Sequence, residues 1–590
     1  MGVKSFRLGL VGAVVCFCSL SGLCPAVEKL DRGLIAVRQE DGSVYIGWRL
    51  LRSDPEDVGF DLRRTQVRDE ARGVPRTGRF AQYWLHSLGD TKLLTSDPIV
   101  DSTNFVDEAP LKGNAFYWVE RVYGQVGNPW DMTPGKTAKV TELHRDKRYI
   151  GIPFQGKYRA QKVAVADLNG DRKLDYVIKQ PDFNVDPYEA PGYWRKSREP
   201  YKIEAYRHDG KFMWRYDMGW AIEEGIWYSP YVVYDIDGDG KAEVYTKAGE
   251  GDPRDEDGRV QSGPEYLVKI DGETGKVVKK INWLSRDGIE RYNYYCRNIL
   301  GVAYLDGKEP SLIMQRGTYT LIKIAAYDKN LNQVWYWEAS DKNRDYRGQG
   351  LHGLHAADVD GDGCDELVIG CAAIDHNGKS MWTMKKGHPD VAYVGDVDPG
   401  RPGLEVFYGI ERRQKTDPVC LVDAKSGEII WGYKGPSRHV HGQGMCADII
   451  GSIPGMECYA GEKDGSNYWL YDAKGNRLSD KSMGTLSPRP VYWDADPQRE
   501  LILGGRVRDY EGKVHDKIEG RVIAIVDCLG DWREEIITSV NGELRIYTTT
   551  IPAKSRRVCL MQDRKYRTDV AVQSMGYYYT PIEGGVPVPQ

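Results

Sequence analysis

Beyond Arg148 an acidic loop returns again and again, and that recurrence limits the fold more than anything else in this 590-residue chain. The clearest copies run from Asp167 to Asp175, from Asp235 to Glu243 and from Asp358 to Glu366. Each places oxygen-bearing side chains at its first, third, fifth and ninth positions: Asp167, Asn169, Asp171 and Asp175; Asp235, Asp237, Asp239 and Glu243; Asp358, Asp360, Asp362 and Glu366. Thinner copies follow at Asp396, Asp398 and Glu405, at Asp448 and Glu457, at Asp494, Asp496 and Glu500, and at Asp527, Asp531 and Glu535, with a remnant at Asp306. After nearly every copy comes a short strand signal, such as Glu243-Val244-Tyr245-Thr246 or Glu366-Leu367-Val368-Ile369, then a polar turn and a second strand with Trp or Tyr. Eight strand-rich units of about 55 residues predict an all-β chain with an eight-bladed β-propeller over 148–590, because such a unit buries its faces only against its neighbours.

The stretch 27–145 carries no such loop. Short alternating runs, Val44-Tyr45-Ile46-Gly47-Trp48 and Phe116-Tyr117-Trp118-Val119 among them, predict a fibronectin-type-III-like β-sandwich that supports its neighbour. In front of it, Lys4 and Arg7, the apolar run Leu8 to Leu20 and the small-residue stretch Cys24-Pro25-Ala26 read as a signal peptide over 1–26. Export to the periplasm, cell surface or medium is therefore expected. No later segment is apolar enough for a stable membrane span, and a monomer is expected.

Composition narrows the partners. Against 81 Lys and Arg stand 86 Asp and Glu, a formal charge of −5 that falls to −7 once Lys4 and Arg7 leave with the leader. That balance, with no basic tail, argues against nucleic acid. Sixteen Trp and 38 Tyr against 10 Phe favour rings with a polar handle, which suit both strands and sugar-binding surfaces. Of 11 Cys, three lie in the leader; the other eight are too scattered for a disulfide framework, and no CxxC pair offers a simple zinc site. Buried thiols are the plain expectation, although Cys446 and Cys458 flank one acidic loop and can pair across it.

The loops themselves point to calcium. A hard cation takes six to eight oxygens in flexible geometry, and alternating acids with Gly between them let a tight turn fold carboxylates onto one ion. The expected role is structural, pinning turns.

Longer stretches carry a family likeness. Val233 to Val244, Ser262-Gly263-Pro264-Glu265-Tyr266-Leu267, Gly301-Val302-Ala303-Tyr304-Leu305-Asp306-Gly307, Gly350-Leu351-His352-Gly353, Gly530-Asp531-Trp532-Arg533-Glu534-Glu535 and Leu544 to Thr550 resemble the rhamnogalacturonan lyases of polysaccharide lyase family eleven. The resemblance implies an eight-bladed propeller with calcium, and eliminative cleavage of the acidic plant polysaccharide rhamnogalacturonan I, the pectin backbone. It also implies site residues: His352 and His388 as metal ligands, the latter within Gly387-His388-Pro389-Asp390, and Asp182 and Tyr577 as substrate contacts.

Departures from the family pattern fall at the chemistry. Gly442-Gln443-Gly444-Met445 stands where the family has Gly-Arg-Gly-Met, so Gln443 replaces a cation, and Gln161 stands where an Asn binds substrate. The family's Asn-Gly-Thr-Lys is absent, with Lys517 the nearest candidate for its lysine. His441, with Arg438 and His439 beside it, can supply the missing charge. Lys517 and His441 are accordingly the expected catalytic groups. Alternative readings are a non-catalytic propeller that binds acidic polysaccharide, and a quinoprotein prompted by the tryptophan-docking motif Asp423 to Trp431; the second lacks the adjacent Cys pair it would need.

Overall fold

The computed structural model describes residues 28–66, 91–111, 115–123, 126–127, 137–139, 149–222, 225–442, 444–484, 488–577 and 579–584. The expected signal peptide and Gln443 lie outside the described residues.

The chain is all-β with few helices. Its N-terminal part is a fibronectin-like pair of sheets. One joins Ile35–Arg38, Val44–Gly47 and Asn104–Asp107; the other is built on the long pair Gly59–Gln66 and Ala115–Tyr123. Alternating residues from both sheets meet in one core, where the Trp48 and Phe60 rings sit edge to face, 5.5 Å apart.

Eight antiparallel four-stranded sheets follow, an arrangement consistent with a propeller. Seven are built from strands consecutive in sequence, the first from Lys162–Ala166, Asp175–Gln180, Lys202–Tyr206 and Phe212–Asp217. Their first strands succeed one another in space: Lys162–Ala166 packs on Tyr231–Tyr234, that on Asn298–Ala303, then Gly350–Ala357, Pro389–Gly395, Met445–Ala447 and Arg489–Val491. Burial falls from inside outwards. Tyr231–Tyr234 is buried on both faces, so it reads as a continuous apolar run, whereas the outer strand Val277–Asn282 is almost wholly exposed.

The eighth sheet differs. Arg521–Val526, Glu535–Val540 and Glu543–Tyr547 supply three strands, and Tyr149–Pro153, from the other end of the domain, supplies the fourth, pairing Tyr149 with Tyr547.

Tryptophans clamp neighbouring sheets. Trp214 Nε1 donates to Gly272 O (2.7 Å), Trp335 to His376 O (2.9 Å), Trp382 to Ala424 O (2.9 Å) and Trp431 to Ala473 O (2.8 Å), each reaching from an outer strand to a turn of the next sheet. A glycine in that turn lets the indole lie flat on the backbone: Gly427, at φ +75°, would place a Cβ 2.7 Å from Trp382. The segment Asp423 to Trp431 is thus a sheet-to-sheet clamp. Between the second and third sheets no Trp is available, and Lys279 Nζ donates to Asn330 O instead.

The acidic loops begin after first strands, and their final acids share one task. Asp175, Glu366, Glu457, Glu500 and Glu535 each accept a hydrogen bond from the backbone N–H near the loop start, from Leu168, Val359, Ile449, Trp493 and Cys528 at 2.7–3.2 Å. Such a bond holds the turn with or without an ion, which accounts for the final acid persisting where the middle acids are lost.

The C-terminal segment packs on the inner strands. A helix, Arg564–Val572, N-capped by the Asp563 carboxylate accepting from Tyr566 N at 2.8 Å, packs against four of the inner strands. Its charges are buried in pairs: Lys565 Nζ lies 2.5 Å from Asp569 Oδ2, and His355 Nδ1 3.1 Å from Asp569 Oδ1. The N-terminal sheets dock on the last acidic loop, where Tyr45 donates to Asp531 (2.9 Å) and accepts from Arg533 (2.8 Å). Asp531 therefore serves an interface. Cys446 and Cys458 face each other across one strand pair as thiols, Sγ to Sγ 3.8 Å.

Candidate active site

One cleft of about 460 Å³ gathers titratable side chains from several sheets, among them Arg297, His352, Asp390, Glu411, His439, His441, Lys463 and Tyr577. Local structure aims each of them. His352 lies on the inner strand Gly350–Ala357, and Asp390 follows Pro389, which opens its strand at the one place where a missing N–H costs least. Val440 is fully buried, so the period-two alternation of an extended segment sends His439 and His441 to the opposite side. That segment is held by His441 N donating to Gly461 O and Lys463 N to His439 O, both at 3.0 Å. Tyr577 is delivered by the C-terminal segment, its backbone neighbour Gly576 O accepting from the buried Lys162 ammonium at 2.9 Å.

The centre of the cleft is a carboxylate between imidazoles. Asp390 Oδ1 lies 3.2 Å from His388 Nε2 and 3.7 Å from His352 Nε2, and Oδ2 lies 2.6 Å from His441 Nδ1. Ligand atoms of His352, His388 and Asp390 all fall within 4.8 Å of one another, a spacing that can hold a metal ion. Burial works against the ionised form of Asp390, yet hydrogen bonds from His388 and His441 hold its carboxyl far below the usual range. Burial first, then His388 and Arg297, drive the His352 imidazole well below its usual value, which leaves it neutral and fit to ligate. Tyr577, its ring 4.9 Å from that of His352, is pushed well above the ordinary phenol value by burial and by Asp390. It is a proton donor here, not an acceptor.

A buried cation completes the floor. The Arg297 guanidinium lies over the Trp227 ring at 4.1 Å and donates to Asn293 Oδ1 (2.6 Å) and Asp186 Oδ1 (3.2 Å), while its Nη1 has no hydrogen-bond partner. A free N–H on a buried guanidinium suits a carboxylate ligand.

The sequence-chosen residues divide. His352, His388, His441 and Tyr577 come together. Asp182 pairs with Arg521 through both oxygens, at 2.8 and 3.1 Å. Gln161 is buried beside it, its amide donating to Phe183 O and the Tyr201 hydroxyl, and its own Oε1 has no partner. Lys517 ends the outer strand Val514–Lys517, exposed, and is not among the residues lining the cleft. Sequence reasoning passed over Arg297, Glu411 and Lys463, which stand outside every motif, and it quoted Asp390 only as a neighbour of His388.

The acidic loops vary in what meets their acids. His208 Nδ1 stands 3.7 Å from Asp171 and 3.5 Å from Asp175 in the first, and His376 Nδ1 stands 3.4 Å from Asp362 and 3.3 Å from Glu366 in the third. In the second, the Lys269 ammonium sits 2.8 Å from both Asp237 and Glu243, an internal counter-ion. Burial raises Glu243 to about 8 and Glu366 and Glu405 to about 7. Buried oxygens of Asp396, Asp448, Glu457 and Asp527 have no hydrogen-bond partner, so these loops fit a cation.

Comparison with known proteins agrees with this architecture. Residues 151–585 match the model for rhamnogalacturonan lyase family 11, C-terminal domain, and residues 25–83 that for the rhamnogalacturonan I lyases beta-sheet domain. Rhamnogalacturonan endolyase YesW of Bacillus subtilis (strain 168) is 35% identical, with 97% of this chain and 93% of that protein covered; exolyase YesX of the same organism is 33% identical, with 94% of each covered. The crystal structure of YesX superposes with a TM-score of 0.83 at 32% identity, covering 95% of this chain and 96% of that one, and that of YesW with 0.82 at 32%, covering 95% and 98%. The chain is a polysaccharide lyase belonging to rhamnogalacturonan lyase family 11.

Proposed function

We propose that this chain is an exported, calcium-dependent, eight-bladed propeller that cleaves rhamnogalacturonan I by β-elimination at galacturonate. The cluster of His352, His388 and Asp390 beside the unpartnered Arg297 Nη1 is the observation that carries the reading. Elimination removes the C5 proton of the uronate, which is weakly acidic until the neighbouring carboxylate is neutralised. His352, His388 and Asp390 would hold the cation, which supplies Lewis-acid neutralisation when bound. Arg297 offers an N–H to the same carboxylate. Tyr577, kept protonated, is placed to donate to the departing C4 oxygen. Lys463 and His441 are the basic groups in the cleft that can accept the C5 proton, Lys463 being exposed with no carboxylate in ion-pair contact among the described residues. Eight sheets in sequence, closed by Tyr149–Pro153, support the eight-bladed count, and the partnerless loop acids support calcium.

The test is direct. Purified protein is incubated with rhamnogalacturonan I and calcium while the ultraviolet absorbance of the unsaturated product is followed. A steady rise is expected; retained polysaccharide binding without a rise would replace the lyase with a binding propeller.

A further inference from the structure

The single-ion cluster leaves two histidines unaccounted for. Asp390 and Glu411 each face two ways. Glu411 Oε2 lies 3.6 Å from His388 Nε2, and its Oε1 lies 3.2 Å from His439 Nε2. Asp390 repeats the pattern, with Oδ1 toward His352 and His388 and Oδ2 toward His441. His439 Nε2 and His441 Nδ1 are 3.4 Å apart, and the ligand atoms of Asp390, Glu411, His439 and His441 all lie within 4.8 Å of one another.

Hydrogen bonding fixes the direction of one lone pair. His388 Nδ1 meets Gly350 O, which can only accept, so Nδ1 carries a proton. With a cation bound, the neutral ring would turn its Nε2 lone pair to the same ion as the oxygens of Asp390 and Glu411, which lie 3.2 and 3.6 Å from that nitrogen.

We infer that His439 and His441, with Asp390 and Glu411, form a second metal position beside that of His352 and His388, giving a two-ion centre bridged by both carboxylates. Four imidazoles and two carboxylates suit a d-block dication such as zinc or manganese better than calcium, which prefers oxygen throughout. Two such ions stand about 3.5–4 Å apart in bridged centres, which matches carboxylates that each turn one oxygen to either side. Two dications against two carboxylates leave a positive surplus open to the cleft. That surplus takes the place of the cation absent at Gln443, and the ligand it fits is a uronate carboxylate. His441 is thereby engaged through Nδ1, which leaves Lys463 as the acceptor for the C5 proton. This inference rests on the proposed lyase function only for its substrate; the metal count stands apart from it.

The full-length protein tests it. Stripped of metal by a chelator, it is reloaded with Co²⁺ in excess Ca²⁺, in a Cys364→Ser background so that the separate Asp362, Cys364 and His376 group at the third acidic loop adds no thiolate band. Metal content and visible d–d absorption are read without polysaccharide. The His439→Ala/His441→Ala double variant is expected to hold one Co²⁺ fewer per chain, with a weakened visible band and an unfolding temperature within a few degrees of the parent. His441→Gln, the smaller change, is expected to lose the same ion. An unchanged cobalt count and spectrum in either folded variant would overturn the second position. Absence of unsaturated product from rhamnogalacturonan I would sink the lyase reading and leave the cobalt count untouched.

Discussion

Asp390 Oδ2 stands 2.6 Å from His441 Nδ1, at the join between two neighbouring sheets. One carboxylate thus fixes the relative position of groups carried by segments fifty residues apart, in a site where small displacements are costly.

Asp390→Asn keeps the shape and removes the charge. Turnover on rhamnogalacturonan I is expected to fall about 10³-fold, as when a main electrostatic element is lost, with bound metal reduced in the same preparation by elemental analysis. Full activity with normal metal content would remove Asp390 from the site.

Lys463 and Lys517 compete for one role. If Lys463 accepts the C5 proton, Lys463→Ala lowers kcat by about 10²–10⁴-fold with little change in KM, whereas Lys517→Ala, altering an exposed outer-strand residue, stays near the parent. The reverse outcome would move proton transfer to the outer strand.

Glu265 makes an acid-sensitive knot. Burial works against its charge, but Lys247 and Arg316 bring its pKa down to about 2, with Arg316 Nη2 at 2.8 Å and Arg286 Nε at 3.0 Å. An unfolded glutamate titrates near about 4.3. A depressed folded value means the contribution is present in full above that unfolded value and is lost as pH falls toward 2. Glu265→Gln is expected to cost about 3–5 kcal/mol at pH 7, since it strands buried cations, and less at pH 3. Denaturant titrations at the two pH values measure it; an equal loss at both would deny the linkage.

Gly427 bears on a clamp rather than a charge. Gly427→Ala forces a left-handed backbone on alanine and a Cβ into Trp382, and a loss of about 1–3 kcal/mol is expected. Gly512→Ala is the control: its φ is +103° but nothing lies within 4 Å, so the smaller loss isolates the backbone term. Equal melting temperatures for the two variants would show that the indole gives way freely.

Calcium removal should be visible without any assay of activity. Chelation is expected to lower the unfolding temperature, and saturating calcium to restore it, with a gain of about 2.7 kcal/mol per site at a hundredfold excess over Kd. Asp396→Asn should reduce that gain, because it alters a loop with a partnerless buried oxygen. Asp237→Ala is expected to reduce it less, since Lys269 already balances that loop. A melting curve indifferent to chelator would end the calcium reading.

The repeat was legible because most units restate the same turn: an acidic loop, then a strand, then a second strand with Trp or Tyr. Two parts were not. The helix Arg564–Val572 reads as a solvated segment, RKYRTDVAV, because its buried charges are matched by partners such as His355 that lie far away in sequence. Likewise Glu411 and Arg297 sit in no motif; only packing carries them beside His388 and Trp227. His352 and His388 were visible through family likeness. Their shared carboxylate was not, because the sequence shows a proline next to an acid and says nothing of where its oxygens point.

The strand Tyr149–Pro153 lies nearly four hundred residues upstream of its partner Glu543–Tyr547. A chain emerging from the ribosome therefore holds an unsatisfied strand in reserve throughout its synthesis, and every earlier sheet can form while this one waits. Completion is a single late event that joins the first strand of the domain to its last. A product cut short before Tyr547 would present two open edges, ready to pair with another copy of itself.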